Sequence, residues 1–348
     1  MTFVRKMLLV GLAAISLPAG IVAQPGGPYA PVVLLLPAGA RSLAMGNVGV
    51  AGRDDDVLFF NPAQLIVARG TSASYERYSA SSAGGTLSSV TRLTNSAIGI
   101  GARMVDYRSS LSFLSPPNAG PGTGIPPGVT PITTFPLDRE SSVRPGPAQG
   151  TSIEASIGYA RTVKSIRIGA AAKYVEDEIP AVKIERGTLD IGLARDFFRY
   201  YTLALSVQNI GPSTSLPCIT HSEIGHENCE VEAVPAPPSS LRVPVYLPLR
   251  TTLGGSFSHQ VGEFDLVSTA AVSVLRGNAV NPAAGVELGY SWIDGYTVAL
   301  RGGVRRPIPG ESPVTAGAGL TADRLSIDYA LETLADGRIA HRFGFRIR

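Results

Sequence analysis

From about Thr71 to the last residue, apolar and polar or small side chains alternate with a period of two, in short runs broken by turns. That periodicity belongs to strands, not helices. Ile98, Ile100, Ala102 and Met104 share one face of a run whose other face carries Gly99, Gly101 and Arg103. Ile153, Ala155, Ile157 and Tyr159 alternate with Ser152, Glu154, Ser156 and Gly158, and Ile166, Ile168, Ala170, Ala172 and Tyr174 with Ser165, Arg167, Gly169 and Lys173. The last run sets His341, Phe343, Phe345 and Ile347 against Arg342, Gly344, Arg346 and Arg348. The pattern predicts about fourteen strands over residues 71–348.

A two-layered soluble sandwich would bury the face bearing Arg103, Glu154, Arg167 and Lys173, which is costly unless every charge is paired. A membrane barrel turns its apolar face to lipid and its polar face to a wet lumen, where such charges are at home. The connections point the same way. With the termini on the periplasmic side, the inner turns are short, as at Asn95, Arg161 to Lys164, His259 to Gly262, and Ala322 to Asp323. The two longest connections, 107–150 and 210–248, both fall on the outer side. The expected fold is an all-β, antiparallel transmembrane barrel with an N-terminal hatch on the periplasmic side. Tyr107, Tyr200, Tyr290, Trp292 and Tyr296 fall near strand ends, where membrane interfaces collect such rings.

Residues 1–23 read as a secretory signal peptide. Arg5 and Lys6 precede the apolar run Met7 to Leu17, and small residues lead to a cleavage site after Ala23. Charged residues make up only 16% of the chain, against 44% hydrophobic, which suits a surface that is not all in water. The net charge of +3 comes without a basic run or zinc pattern, so a nucleic-acid partner is not expected. Outer-membrane lipid is the expected surrounding and the bacterial outer membrane the expected location.

Residues 24–70 lack the alternation. Gly39, Gly46, Gly49 and Gly52 precede Asp54, Asp55 and Asp56, then Asn61 and Pro62. No phosphate-loop spacing occurs, and the acids lack the alternation of a calcium loop, so neither cofactor nor metal is expected. The segment reads as a plug at the periplasmic mouth, with Phe59, Phe60, Leu65 and Ile66 as its apolar contacts. In the second outer loop, Cys218 and Cys229 have ten residues between them and are expected to form a disulfide after export. His221 and His226 nearby fit no dependable zinc pattern. No nucleophile elbow or convincing Ser–His pair occurs, so no enzymatic activity is expected.

Together Gly39, Ala40 and Arg41, then Met45 and Gly46, Asp54 and Asp55, and Asn61, Pro62 and Ala63 resemble the N-terminal signature of PorV/PorQ-like proteins within the FadL-like outer-membrane family. Asn47 stands where relatives carry a second glycine. The C-terminal stretch with Asp328, Tyr329, Ala330, His341, Arg342 and Phe343 is similar to the family ending, and the resemblance covers residues 38–348. It implies a fourteen-stranded barrel with the Asn-Pro-Ala segment in an N-terminal hatch. It also implies one of two activities. FadL-like proteins pass hydrophobic small molecules through the barrel, whereas PorV-like proteins work with type IX secretion subunits and their cargo. The inward charges weigh mildly against a greasy lumen; the apparent hatch weighs against an open pore.

Overall fold

A computed structural model describes residues 31–78, 82–108, 149–179, 182–198, 200–212, 214–217, 242–245, 247–276, 280–306, 313–333 and 339–348. Alternation becomes geometry in a closed barrel of fourteen strands. These are β1 (Gly70–Arg77), β2 (Ser82–Arg92), β3 (Ser96–Arg108), β4 (Gln149–Val163), β5 (Ile166–Ile179), β6 (Val182–Phe197) and β7 (Tyr201–Ile210). They continue, after the pair β8 (Thr214–Pro217) and β9 (Arg242–Val245), with β10 (Arg250–Val261), β11 (Phe264–Leu275), β12 (Val280–Ile293) and β13 (Tyr296–Arg305). The last three are β14 (Val314–Ala322), β15 (Leu325–Thr333) and β16 (Ile339–Ile347). All neighbours pair antiparallel, and β16 closes on β1 with Thr71 opposite Ile347 and Arg77 opposite His341.

Closure leaves no strand edge unpaired, so the backbone can sit in lipid. Outward-facing Ile100 and Ile157 are more than half exposed, whereas Arg103 and Glu154, one face away, are 5% and 0% exposed. Apolar side chains outward and charged ones inward are the reverse of a soluble protein, and the molecule is an outer-membrane barrel. No helix among the described residues is long and apolar enough to cross a membrane.

One end carries the tight turns, which in such barrels is the periplasmic end. Gly262 and Gly295 there have φ of 63° and 86°, and Lys164 and Asp323 also adopt the left-handed conformation that two-residue hairpins use. Aromatic rings gather at this end on the β6–β13 side: Tyr200 with His259, Phe264 with Tyr290, and Trp292 with Tyr296.

The connection 210–248, expected to be a long outer loop, is not wholly loop. β8 and β9 pair within it as a separate antiparallel sheet. Their prolines, Pro217 and Pro244, remove backbone donors and hid the pair from a reading based on alternation. The expected signal peptide, the core of the 107–150 loop, and Cys218, Cys229, His221 and His226 lie outside the described residues.

Candidate functional site

The N-terminal segment fills the barrel. It is built from single turns: a 3-10 turn at Val32–Leu34, α1 (Ala40–Ala44), and 3-10 turns at Asp55–Phe59 and Pro62–Ile66. Asn61 starts the last of these. Its side chain accepts the Ala63 N–H at 3.0 Å, and Pro62 follows at the first helical position, where its missing donor costs nothing. The Asn61 amide also donates to Val50 O at 2.9 Å and to Leu193 O of β6 at 3.3 Å. This fully buried side chain therefore joins two parts of the segment to the wall.

The segment is not confined to the periplasmic mouth. Leu58, Leu65 and Ala68 pack on Val90, Ala97, Ala160 and Ala171 toward the tight-turn end. Val32, Val33, Leu34 and Leu36 reach the opposite end, against Tyr78, Val105, Val175, Leu247 and Ala340. No periodicity marks such a path, because each short turn meets a different stretch of wall.

Glycines on the inward face make room for it. A side-chain carbon at Gly192 would lie 1.9 Å from the Asn61 carbonyl oxygen, at Gly169 2.4 Å from the Ala63 nitrogen, and at Gly303 2.0 Å from the Gly46 nitrogen. Gly285 faces the Met45 backbone in the same way. Gly46 itself has φ of 77°, lies against the carbonyls of Ala284 and Val304, and donates its N–H to Thr315 Oγ1 at 3.0 Å. Gly39 abuts the Asp56 carboxylate, which also accepts from Ser42 Oγ at 3.1 Å. Of Asp55 only the backbone is described.

Three arginines and three carboxylates close an ionic ring between segment and wall. Arg41 donates to Asp54 at 2.6 Å and, through two nitrogens, to both oxygens of Glu287 on β12 at 2.7 Å. Arg301 on β13 joins Glu287 to Asp328 on β15, the latter at 2.6 Å. Arg346 on β16 joins Asp328, at 2.6 Å, back to Asp54. Arg348 adds a 3.2 Å contact to Asp54. Gly319 on the intervening β14 leaves space for the Arg301 and Asp328 side chains. Burial works against a charged Asp54, but the Arg346 and Arg41 guanidiniums outweigh it and hold its carboxyl well below the usual carboxylate range. The forked Arg41–Glu287 contact is the strong, directional kind of ion pair.

A second network crosses five adjacent strands. Arg103 pairs with Glu154 at 2.7 Å; Lys173 contacts Glu154 at 3.5 Å, Asp190 at 2.7 Å and Asn209 at 3.3 Å. The expected wet lumen is corrected here, since the segment covers these charges and they satisfy one another. Arg103 also donates to Leu36 O at 3.1 Å and lies 4.8 Å from the Phe59 ring centre, while Gln208 donates to Phe59 O at 2.6 Å. Asn209 sits at a wall irregularity with φ of 60°, where the Asp190 carboxylate accepts its N–H at 2.7 Å. Arg167 stands apart, paired with Asp196 at 2.7 Å near the tight turns.

A cavity of about 60 Å³ lies between the Gly46–Val50 stretch, Phe60 and strands β7 and β10–β13. A dry apolar cavity that accepts benzene measures about 150 Å³, so this one is too small for an aromatic ring as it stands. Among the described residues no group of three or more His, Cys, Asp or Glu side chains is placed to hold a metal. Nothing in the sequence alone singles out Glu287 or Arg301, and Asp328 and Arg346 stand there only within the C-terminal stretch, because their grouping depends on strand order.

No protein-family model and no curated protein matches the chain. Solved structures do. The Pseudomonas putida toluene transporter TodX is 14% identical over 90% of this chain and 98% of its own, with a TM-score of 0.55. A Pseudomonas aeruginosa FadL homologue is 10% identical over 92% and 99%, at 0.51. The Ralstonia pickettii toluene transporter TbuX is 12% identical over 90% and 99%, at 0.50. At these identities the likeness is one of fold: the chain has the barrel architecture of FadL-type hydrocarbon channels.

Proposed function

We propose that the protein passes small hydrophobic molecules across the outer membrane, and that residues 31–69 are the hatch that gates it. The observation that carries this reading is the filled lumen. A segment seated on bare glycines and tied by ion pairs and a few side-chain hydrogen bonds can leave without unravelling the wall, whose strands close into a barrel by pairing with one another. The toluene transporters that share the fold support an apolar cargo, as does the apolar cage around Val32–Leu36 at the outer end.

The Gly39–Ala63 signature favours a second reading, that of a PorV-like partner of type IX secretion. A barrel whose lumen stays filled would then act through its surface. Uptake of labelled toluene, at a concentration where entry limits its consumption, separates the two. Cells displaying the full chain are expected to take it up several-fold faster than cells with an empty vector. Equal rates, with secretion subunits co-purifying from the native membrane, would replace transport by the second reading.

A further inference from the structure

On the β1–β5 side of the rim at the tight-turn end stand exposed Arg69, Arg92, Arg161 and Lys164, while the turns across the mouth mix Arg195 and Arg324 with Glu263, Asp294 and Asp323. Between Arg69 and Arg92 an open pocket of about 450 Å³ is lined by those two arginines, Val90 and Leu93. Leu93, 50% exposed, ends the outward row Leu87, Ser89 and Thr91, whereas Val90 belongs to the inward face of β2 and is 7% exposed. The pocket thus joins two guanidiniums to the apolar surface that faces lipid. Among the described residues, neither guanidinium is engaged by another side chain.

We propose that this pocket binds an anionic phospholipid from the leaflet that meets the tight-turn rim. Its phosphate sits between Arg69 and Arg92, and an acyl chain leaves over Leu93 along the outside of β2 and β3. Two cations at a membrane surface favour an acidic headgroup by about fivefold each at most, and salt weakens that preference. A zwitterionic headgroup gains little there. A periplasmic acidic protein could meet the same charge, but only a lipid also uses the apolar, outward-facing half of the pocket. The inference is independent of what the lumen transports.

The test is native mass spectrometry of the detergent-solubilised full chain, titrated with dioleoylphosphatidylglycerol or dioleoylphosphatidylcholine. The expected result is retention of the anionic lipid at about tenfold lower concentration. The Arg69→Ala/Arg92→Ala double variant should lose that preference, and Arg195→Ala, another exposed rim arginine, should keep it. These positions are exposed, so unchanged heat-modifiable gel migration would confirm that each variant folds. Equal retention of the two lipids, or a preference that survives in the double variant, overturns the proposal. So does displacement of the lipid by inorganic phosphate or polyglutamate at matched charge, which would mark a free-anion or protein-docking patch instead.

Discussion

Gly303→Leu is expected to turn a quiet barrel into a leaky one. The new side chain must enter where the Gly46 nitrogen lies 2.0 Å from its first carbon, with the Met45 carbonyl carbon at 2.4 Å. Those are backbone atoms of the luminal segment, so no flexible side chain can swing away. Overpacking of this kind costs about 1–3 kcal/mol even where neighbours can adjust, which shifts the docked-to-released balance by about fivefold to 150-fold. Gly302, one residue away on the same strand, faces the other way with nothing within 4 Å. Gly302→Leu therefore adds an apolar group to the lipid face and should change nothing. Single-channel conductance in planar bilayers reads the contrast. Frequent large openings for Gly303→Leu and none for Gly302→Leu are expected. Identical quiet traces from both would mean that the segment does not seat on this wall.

Asp54→Ala should release the segment by a different route. Its removal leaves Arg41, Arg346 and Arg348 facing a gap in the ring. Stranding buried charge costs about 3–5 kcal/mol; the lower end applies here because Arg41 keeps some contact with solvent. Hydrogen exchange should quicken at residues 40–60 while the barrel strands stay protected. Uniform quickening over strands and segment together would show that the ring holds the barrel and not the gate. The native ring also has a predictable acid response. Because the folded Asp54 carboxyl titrates well below a free one, its contribution is complete at neutral pH. It begins to fade only as the pH drops below the ordinary carboxylate range, and vanishes once the pH passes the depressed value. Segment protection should therefore survive mild acid in the native chain.

Strand alternation made the barrel legible, because lipid outside and a packed segment inside impose opposite demands on neighbouring residues. Ile100 and Arg103 could be assigned their faces without any structure. The Asn61-Pro62-Ala63 turn was visible as a signature, but its reason was not: Asn61 reaches Leu193, on a strand more than a hundred residues away. The ring was hidden for the same cause, since Arg41 and Asp54 lie 13 apart while their partners Glu287 and Arg346 lie near the other end of the chain. The inward glycines read only as the small side of the alternation; the fold alone showed that a backbone occupies the space beside them. The segment's reach to the outer end was illegible as well, because an apolar run such as Val32–Leu36 carries no sign of which height it packs at.

The central claim is that the luminal segment must move for cargo to pass, and a reversible lock tests it most directly. The Ala40 side-chain carbon lies 3.3 Å from where one would stand at Gly344 on β16, close to the separation a disulfide needs. The Ala40→Cys/Gly344→Cys variant would then tie α1 to the wall when oxidised. Toluene uptake by cells carrying it should fall to the empty-vector level under oxidant and return on reduction, with the cross-link followed by mass spectrometry. Undiminished uptake with the cross-link fully formed would contradict the account, because cargo would be passing a barrel whose gate cannot open.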